Sequence, residues 1–241
     1  MNAAIRWAGE DLVLLPERAM WWPGERTLFI ADPHFGKASA FRSAGIPVPE
    51  LAHADDLARL ESILRRTGAR RLVVLGDFFH ARRGRTAATL DALAAWRERS
   101  PDLEITLVLG NHDRHAGPPP PEWKIDCVRG PHAIAPFQCR HEPPESAGGF
   151  VLCGHIHPAI RLGDAIGGGV GGPCFHFGAR IATLPAFGTF TGTCRIKADP
   201  GDRIFIIGPD VVVELGSLSR ARKTHHRHRK HTFNGGETLN D

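Results

Sequence analysis

The sequence lacks the cysteine pattern of a disulfide-stabilised protein or a zinc ribbon. Its five cysteines are odd in number, and no two of them form a CxxC pair. Small secreted domains and structural zinc sites both rely on paired cysteines. We therefore expect a protein of the reducing cytoplasm, without a disulfide framework.

Long apolar runs are also missing. No run approaches the roughly 18 apolar residues of a membrane helix. Glu10 and Asp11 stand where a secretory signal needs its apolar centre. We expect neither a membrane contact nor a secretory signal. With 241 residues, 42% of them hydrophobic, the chain is long enough for one domain with a substantial core.

The chain has little net charge outside its end. Residues 217–241 hold six Lys and Arg and two acidic side chains, which equals the net charge of +4, so residues 1–216 are balanced. This basic, His-rich tail has no apolar periodicity and is predicted to be disordered beyond a domain at 1–216. A solubilising end is the simplest interpretation of the tail. Contact with nucleic acid through counterion release and metal scavenging are alternatives.

Buried strands alternate with amphipathic helices in the first half, which is typical of an α/β sheet. The predicted strands are 5–7, 12–15, 20–22, 27–31, 71–77 and 104–113, and the predicted helices are 49–66 and 86–99. In the second half short strands are predicted at 133–139, 150–153, 173–177, 203–207 and 211–214. The glycine-rich stretch 163–172 lacks the strand–turn–helix context of a nucleotide loop, and we expect a mobile surface loop.

Four apolar strands end in polar residues, within FIADPH, VVLGDFFH, LVLGNHD and FVLCGHIHP. Ligands of α/β sheets bind at the carboxyl ends of strands, where the loops converge. Carboxylate, amide and imidazole donors without a thiolate suit borderline divalent metals. The number of donors indicates two ions roughly 3.5–4 Å apart, bridged by one carboxylate.

The stretch VLCGHIHP places two histidines one residue apart. In a strand such neighbours share a face, so His155 and His157 are expected to point the same way, with Pro158 ending the strand. Glycines before Asp77, Asn111 and His155 would let the backbone turn sharply beside the cluster. A single histidine such as His141, taken alone, is more often a surface or core residue than a ligand.

The series D-x-H…GD…GNHD…H…GHxH resembles the calcineurin-like metallophosphoesterase superfamily, with all five blocks in order. Longer blocks, from ADPHFGKASAFRSAGIPVP (31–49) to LPAFGTFTG (184–192), resemble the DNA-ligase-associated metallophosphoesterases, the PdeM group. This resemblance implies a four-layer α/β/β/α sandwich of two mixed sheets flanked by helices.

The resemblance also implies the roles of individual residues. Asp32, His34 and His157 would bind the first metal, Asn111, His141 and His155 the second, and Asp77 both. Mn²⁺ is the expected ion, and Fe²⁺ or Zn²⁺ fit the same donors. His112 would face the substrate and hydrogen-bond a phosphate oxygen or protonate the leaving alkoxide.

Further side chains near the strand ends are candidate substrate contacts. We expect Arg82 and Arg114 to contact phosphate, and His80 to lie beside the metals or the substrate. Asp113 is expected to orient neighbouring backbone or His112. Phe41 and Arg42 could stack on a base, although a loop phenylalanine is more often packed inward.

The expected function is metal-dependent hydrolysis of a phosphodiester in DNA or a nucleotide. The resemblance implies a nuclease role in DNA repair, associated with an ATP-dependent DNA ligase, a helicase and an exonuclease. A phosphomonoesterase or a cyclic-nucleotide phosphodiesterase acting on small nucleotides is the alternative, and the neutral body favours it mildly. A non-catalytic scaffold is disfavoured because every expected ligand is present.

Overall fold

The computed structural model describes residues 1–46, 48, 52–163 and 169–216. The predicted disordered tail, 217–241, and positions 164–168 of the glycine-rich stretch lie outside this part. None of the described helices is long and apolar enough to cross a membrane.

The first half of the chain forms a seven-stranded mixed sheet with helices. Its elements are β1 (Ala3–Trp7), β2 (Glu10–Leu15), β3 (Ala19–Trp22), β4 (Thr27–Ile30), α1 (Lys37–Ser43), α2 (Ala52–Thr67), β5 (Arg71–Val74), α3 (Ala87–Glu98), β6 (Glu104–Val108), α4 (Asn111–Ala116) and β7 (Ile125–Val128). The strands lie in sequence order, antiparallel from β1 to β4 and parallel from β4 to β7. Two short 3-10 helices, Arg82–Gly84 and Pro121–Trp123, complete this half.

The second half forms a second mixed sheet. Its strands are β8 (His132–Ile134), β9 (Phe137–Cys139), β10 (Phe150–Cys153), β11 (Pro158–Gly163), β12 (Gly169–Phe177), β13 (Ile181–Thr183), β14 (Cys194–Arg195), β15 (Arg203–Ile207) and β16 (Val212–Leu215). The order is β14-β11-β12-β13-β10-β9-β8, and β15 pairs with β12 and β16.

The core has two main layers. One is sandwiched between the sheets, where Trp7 stacks on Phe137 with ring centroids 5.7 Å apart. The other lies between the outer face of the first sheet and the helices, and it buries Ile63 of α2 and Trp96 of α3. The predicted α/β fold of two mixed sheets with flanking helices is confirmed. In the described part of the chain no helix follows Trp123.

Several predicted strands have the wrong bounds. Those predicted at 71–77 and 173–177 span Arg71–Val74 and Gly169–Phe177, and two further errors share one cause. The strand predicted at 104–113 ends at Val108, and Asn111 already begins α4. The strand predicted at 133–139 is two strands, because Pro136 lies in the turn between β8 and β9. Both errors arise where an apolar run continues past the point at which the chain turns.

The loop predicted at 163–172 is partly wrong as well, because Gly163 belongs to β11 and residues 169–172 belong to β12. Gly171 pairs with Arg161 and Gly172 with Ile160 of β11. A Cβ atom at Gly171 would lie 2.9 Å from the Ile160 carbonyl oxygen. These glycines therefore permit a close approach of two strands, a use that glycine also has inside sheets.

Residues 184–192 join the ends of the two sheets, and we call them the 184–192 segment. The Leu184 N–H donates to the Cys153 carbonyl oxygen after β10. Ala186 pairs in parallel with Ala31 after β4, and the Phe187 N–H donates to the Ala31 carbonyl oxygen. The segment therefore lies where the polar ends of both sheets meet.

A buried ion pair holds the 184–192 segment. The Asp56 carboxylate, 5% exposed, lies 2.9 Å from Arg59 Nη2 and accepts hydrogen bonds from the N–H and hydroxyl of Thr189. The Arg59 guanidinium packs 4.2 Å from the centre of the Phe187 ring and donates to its carbonyl oxygen. Burial raises the pKa of Asp56, and the positive charge of Arg59 opposes that rise.

We expect Asp56→Asn to destabilise the fold by about 3 kcal/mol, because removing one partner leaves the largely buried Arg59 charge without its contacting carboxylate. For a chain of this size that loss lowers Tm by roughly 6–12 °C. Thermal unfolding of Asp56→Asn beside Asp55→Asn measures it, since Asp55 is an exposed acid on the same helix. Equal Tm values for the two variants would contradict the role given to the buried pair.

Candidate metal centre

Two groups of acidic and imidazole side chains meet at the joined sheet ends. The first group is Asp32, His34 and His157, and the second is Asp77, His141 and His155. Within each group the candidate ligand atoms all lie within 4.8 Å of one another. Each group combines carboxylate oxygen with imidazole nitrogen, the donor types of a borderline divalent ion.

The first group contains buried polar atoms without protein partners. Asp32 is 0% and His34 is 3% exposed. Across the described ranges, Asp32 Oδ1, both ring nitrogens of His34 and His157 Nε2 have no hydrogen-bond partner. His157 Nδ1 lies 3.1 Å from the Gly192 carbonyl oxygen, so it donates there, and Nε2 faces Asp32 Oδ2 at 3.6 Å. Burying such atoms unpaired is costly, and a cation between them removes that cost.

The second group is arranged around His141. Its Nδ1 lies 3.1 Å from the Leu75 carbonyl oxygen and donates to it, which leaves a lone pair on Nε2. That Nε2 lies 2.8 Å from Asn111 Oδ1, 3.0 Å from His155 Nδ1 and 3.5 Å from Asp77 Oδ2. A histidine that donates through one nitrogen and faces other donors with the second has the usual orientation of a metal ligand.

Asp77 lies between the two groups. Its Oδ2 is 3.5 Å from His141 Nε2 and 3.8 Å from His34 Nε2, while its Oδ1 accepts the backbone N–H of His112 at 2.9 Å. Burial raises the pKa of Asp77; the His141 charge opposes the rise, and the Asp32 charge adds to it. All seven residues predicted as ligands are thus brought together, with Asp77 in contact with both groups.

Five of the seven residues have left-handed backbone conformations, with φ of 49° at Asp32, 46° at His34, 50° at Asp77, 67° at His155 and 52° at His157. Positive φ is uncommon for residues with a Cβ, and such strain concentrates at functional sites. Only four other non-glycine residues of the described chain have it. The backbone conformation at these positions therefore directs the five side chains into the two groups.

The prediction that His155 and His157 lie in a strand and share its face is wrong. The strand β10 ends at Cys153, and Pro158 begins β11 instead of ending β10. Between them the chain turns, and the His155 N–H donates to Asp32 Oδ2 at 2.8 Å. This turn sends the two rings into different groups, which an extended strand would not do.

Glycine is required where the backbone passes behind a ring. Gly76 has φ +86°, and a Cβ there would lie 2.0 Å from His141 Nδ1. An alanine would have to displace either the β5 terminus or the imidazole. The glycine before Asp77 therefore makes room for a residue of the second group, in addition to turning the chain.

We expect Gly76→Ala to disrupt the second group. Gly9→Ala is the matched control, because Gly9 has φ +87° with nothing within 4 Å of the added Cβ. The control should lose about 1–2 kcal/mol, the cost of the left-handed conformation alone. Gly76→Ala should lose more and bind one metal ion fewer, as measured by thermal unfolding and elemental analysis. Equal losses of stability in the two variants, with full metal content in Gly76→Ala, would show that the structure accommodates the added Cβ without disrupting the second group.

A third group, His34, His80 and His112, adjoins the first two. His112 Nδ1 lies 2.6 Å from the His80 carbonyl oxygen, and its Nε2 lies 4.0 Å from Asp77 Oδ2. The His80 and His112 rings stack with centroids 5.0 Å apart. Burial lowers the pKa of His80 to about 4, with the Lys37 charge contributing. His112 thus sits at the edge of the centre, with one nitrogen anchored and the other facing inward.

The remaining predicted residues occupy varied places. Arg114 is exposed and lines a cavity of about 170 Å³ that reaches His141. Arg82 is exposed on its 3-10 helix, and its neighbour Arg83 lines a cavity with His80. Asp113 accepts the backbone N–H groups of Gly110 at 2.9 Å and Phe79 at 3.3 Å, so its expected contact with neighbouring backbone is confirmed.

Two features of the metal centre were not predicted from the sequence. Burial lowers the pKa values of His34 and His80, and the charge of Lys37, at the start of α1, contributes to both shifts. In the sequence, a single lysine after HFG cannot be distinguished from an ordinary solvent-exposed lysine. The Gly192 carbonyl oxygen orients His157 through a backbone contact, which no sequence pattern predicts.

The fold and this centre define a metal-dependent phosphoesterase. Residues 25–162 match the calcineurin-like phosphoesterase family, and the chain belongs to that family. Members of this family use two metal ions, and the groups described above are candidate sites for them.

Among solved structures, the chain is similar to the nuclease MPE of Pseudomonas putida. The two are 37% identical with a TM-score of 0.76, over 88% of this chain and 100% of that one. Yfce, a phosphoesterase from E. coli, is a far more distant match, 13% identical with a TM-score of 0.39 over 78% of this chain and 97% of that one. No curated protein sequence matches this chain significantly.

Proposed function

We propose that the protein is a dimetal-dependent phosphodiesterase that acts as a nuclease. The observation that carries this proposal is the pair of candidate ligand groups with Asp77 between them. In the first group, buried carboxylate and imidazole atoms lack hydrogen-bond partners among the described residues. Similarity to the nuclease MPE supports a diester over a monoester substrate.

In this proposal Asp32, His34 and His157 hold one ion, Asn111, His141 and His155 hold the other, and Asp77 holds both. Two divalent ions bound there supply Lewis acidity, which activates water and neutralises the phosphoryl oxygens. Mn²⁺ is the metal we propose, and Fe²⁺ and Zn²⁺ are the alternatives, because oxygen and nitrogen donors accept all three.

His112 is the residue we assign to the substrate. The His80 carbonyl oxygen anchors its Nδ1, so the ring has a fixed orientation and Nε2 faces the centre. From this position a protonated Nε2 donates a hydrogen bond to a phosphate oxygen or a proton to the leaving alkoxide. Lys37, His80 and the exposed Arg82 and Arg114 are proposed to contact the phosphodiester strand on either side.

We further propose that the protein acts in the cytoplasm in DNA repair, with an ATP-dependent DNA ligase, a helicase and an exonuclease. The support for this role is the resemblance of several sequence blocks to the ligase-associated group. Genes for those three enzymes beside the gene for this protein would be the expected arrangement, and their consistent absence would count against the association.

The proposed activity is tested by stripping the protein of metal and reloading it with Mn²⁺, Fe²⁺ or Zn²⁺ separately. Each form is then assayed with bis(4-nitrophenyl) phosphate, 4-nitrophenyl phosphate, a cyclic nucleotide, and single- and double-stranded DNA. We expect metal-dependent cleavage of the simple diester and of DNA. Cleavage of the monoester or cyclic nucleotide alone would replace the nuclease by the corresponding enzyme. No turnover with two ions bound would indicate a scaffold.

A further inference from the structure

An apolar cavity opens beside the third group of histidines. Its volume is about 220 Å³. We call it the Phe41 pocket, and it is lined by Ala40, Phe41, Ala44, Ile46, His80, Ala81 and Arg83. Phe41 belongs to α1 and not to a loop, so a helix fixes its ring at the wall of the cavity.

Two of the four exposed large hydrophobic side chains among the described residues lie at this pocket. Among the described residues, the large hydrophobic side chains exposed to solvent are those of Met1, Ile46, Phe190 and Val213. Ile46 lines the pocket, and the Phe190 ring meets the Phe41 ring edge-on with centroids 5.6 Å apart. An ordinary core contact would bury these two side chains, which are instead 46% and 41% exposed. Exposed apolar groups that cluster at one place mark a binding surface.

The pocket is connected to the metal centre by a row of rings. The Phe41 ring lies parallel to the His80 ring within 16°, with centroids 5.9 Å apart. His80 in turn stacks on His112 at 5.0 Å, and His112 Nε2 is 4.0 Å from Asp77 Oδ2. A group held against Phe41 is therefore connected to the metal centre through two successive ring contacts.

We propose that the Phe41 pocket binds one unpaired nucleobase of the nucleic acid strand, next to the phosphodiester that is cleaved. This inference rests on the proposed function. The pocket has the size and the aromatic, apolar lining that a single base requires, and Arg83 at its rim suits the base edge or the adjoining phosphate. In a duplex both faces of a base are covered by its neighbours, so the base must be single-stranded or turned out of the helix.

The 184–192 segment ties this pocket to the centre. Phe190, at the pocket, lies between Thr189, which is held by Asp56, and Gly192, which orients His157. The ring that contacts Phe41 and the carbonyl oxygen that orients the proposed metal ligand His157 are thus on one short stretch of chain. This connection supports a place for the pocket on the substrate path.

The proposal is tested with the metal-loaded protein and a phosphorothioate-linked single-stranded oligonucleotide, which resists cleavage, containing 2-aminopurine. We expect binding to quench the 2-aminopurine fluorescence, as stacking does. Phe41→Ala should abolish the quenching and weaken binding about 5- to 150-fold, the range for loss of one base–aromatic stack. Phe41→Trp should restore both, which a merely structural role for Phe41 would not require.

Two controls keep the test decisive. Phe190→Ala removes a ring that is already 41% exposed, so it should weaken binding with less effect on folding than Phe41→Ala. Val213→Ala removes an equally exposed side chain on the second sheet and should change nothing. The wild-type protein should bind an oligonucleotide with an abasic position as weakly as Phe41→Ala binds the complete oligonucleotide.

Several results would overturn the proposal. They are unchanged binding by both phenylalanine variants, equal affinity for the abasic strand, and equal affinity for a duplex without unpaired bases. The separate assay with bis(4-nitrophenyl) phosphate distinguishes this failure from that of the proposed function. A wild-type protein that cleaves the simple diester but shows no dependence on a base would retain the first proposal and lose the second.

Discussion

Asp77→Asn should abolish phosphodiester hydrolysis while leaving the metal-free protein at least as stable as the wild type. The carboxylate touches both donor groups, so its loss weakens both metal sites at once. Bound ions contribute several kcal/mol to the transition state, so activity should fall by roughly a thousandfold or more. Without metal, by contrast, the buried Asp77 carboxylate lies near buried Asp32, and a neutral amide relieves that repulsion.

Metal content and thermal unfolding test both halves of this expectation. The wild type should gain Tm on addition of Mn²⁺, because a ligand that binds only the folded state stabilises it. Asp77→Asn should show little or no such gain. Asp126→Asn, on an exposed position of β7 in the same sheet, is the control and should behave as the wild type. A variant that still binds two ions would remove Asp77 from its bridging role.

His112→Ala should lose activity about 10²- to 10⁴-fold, the usual contribution of a positioned acid or hydrogen-bond donor, and yet keep both metals. The hydrogen bond from residue 112 to Asp77 Oδ1 comes from the backbone, so it survives the substitution. The lost group is the imidazole, whose Nδ1 is anchored on the His80 carbonyl oxygen. The loss should therefore fall on turnover and leave metal affinity almost unchanged.

The control for His112→Ala is His115→Ala on the same short helix, because His115 is exposed. Steady-state kinetics with a simple diester, together with elemental analysis, separate turnover from metal loss. His115→Ala should retain wild-type rates and metal content. Full turnover by His112→Ala with two ions bound would exclude the role proposed for this ring.

The strand-end motifs were readable from the sequence because they rest on a general property of sheets. Parallel strands bring their carboxyl ends to one edge, so polar residues after β4, β5 and β6 had to meet. His141 carries no such signal, since it follows the three-residue strand β9, which the sequence did not separate from β8, and only the resemblance to a known family identified it. The same resemblance supplied the two-sheet architecture.

The conformations of the ligands could not be read in this way. A pattern of alternating residues assumes an extended backbone, whereas His155 and His157 have positive φ and lie in a turn held by Asp32. Likewise Gly171 and Gly172 resemble loop residues until their strand partner is known. Such features depend on contacts between distant parts of the chain, which local patterns do not encode.

The candidate metal ligands come from both sheets, and this has a consequence for how the protein folds. Asp32 and the backbone of His155 are hydrogen-bonded across 123 residues of sequence, and the pairing of Ala31 with Ala186 spans a still longer loop. Closing such loops is slow, because chain entropy is lost before the distant contacts form. Neither donor group exists until the second sheet docks on the first. We therefore expect high-affinity metal uptake during refolding to follow that docking step, so that the rate of uptake reports the last event of folding.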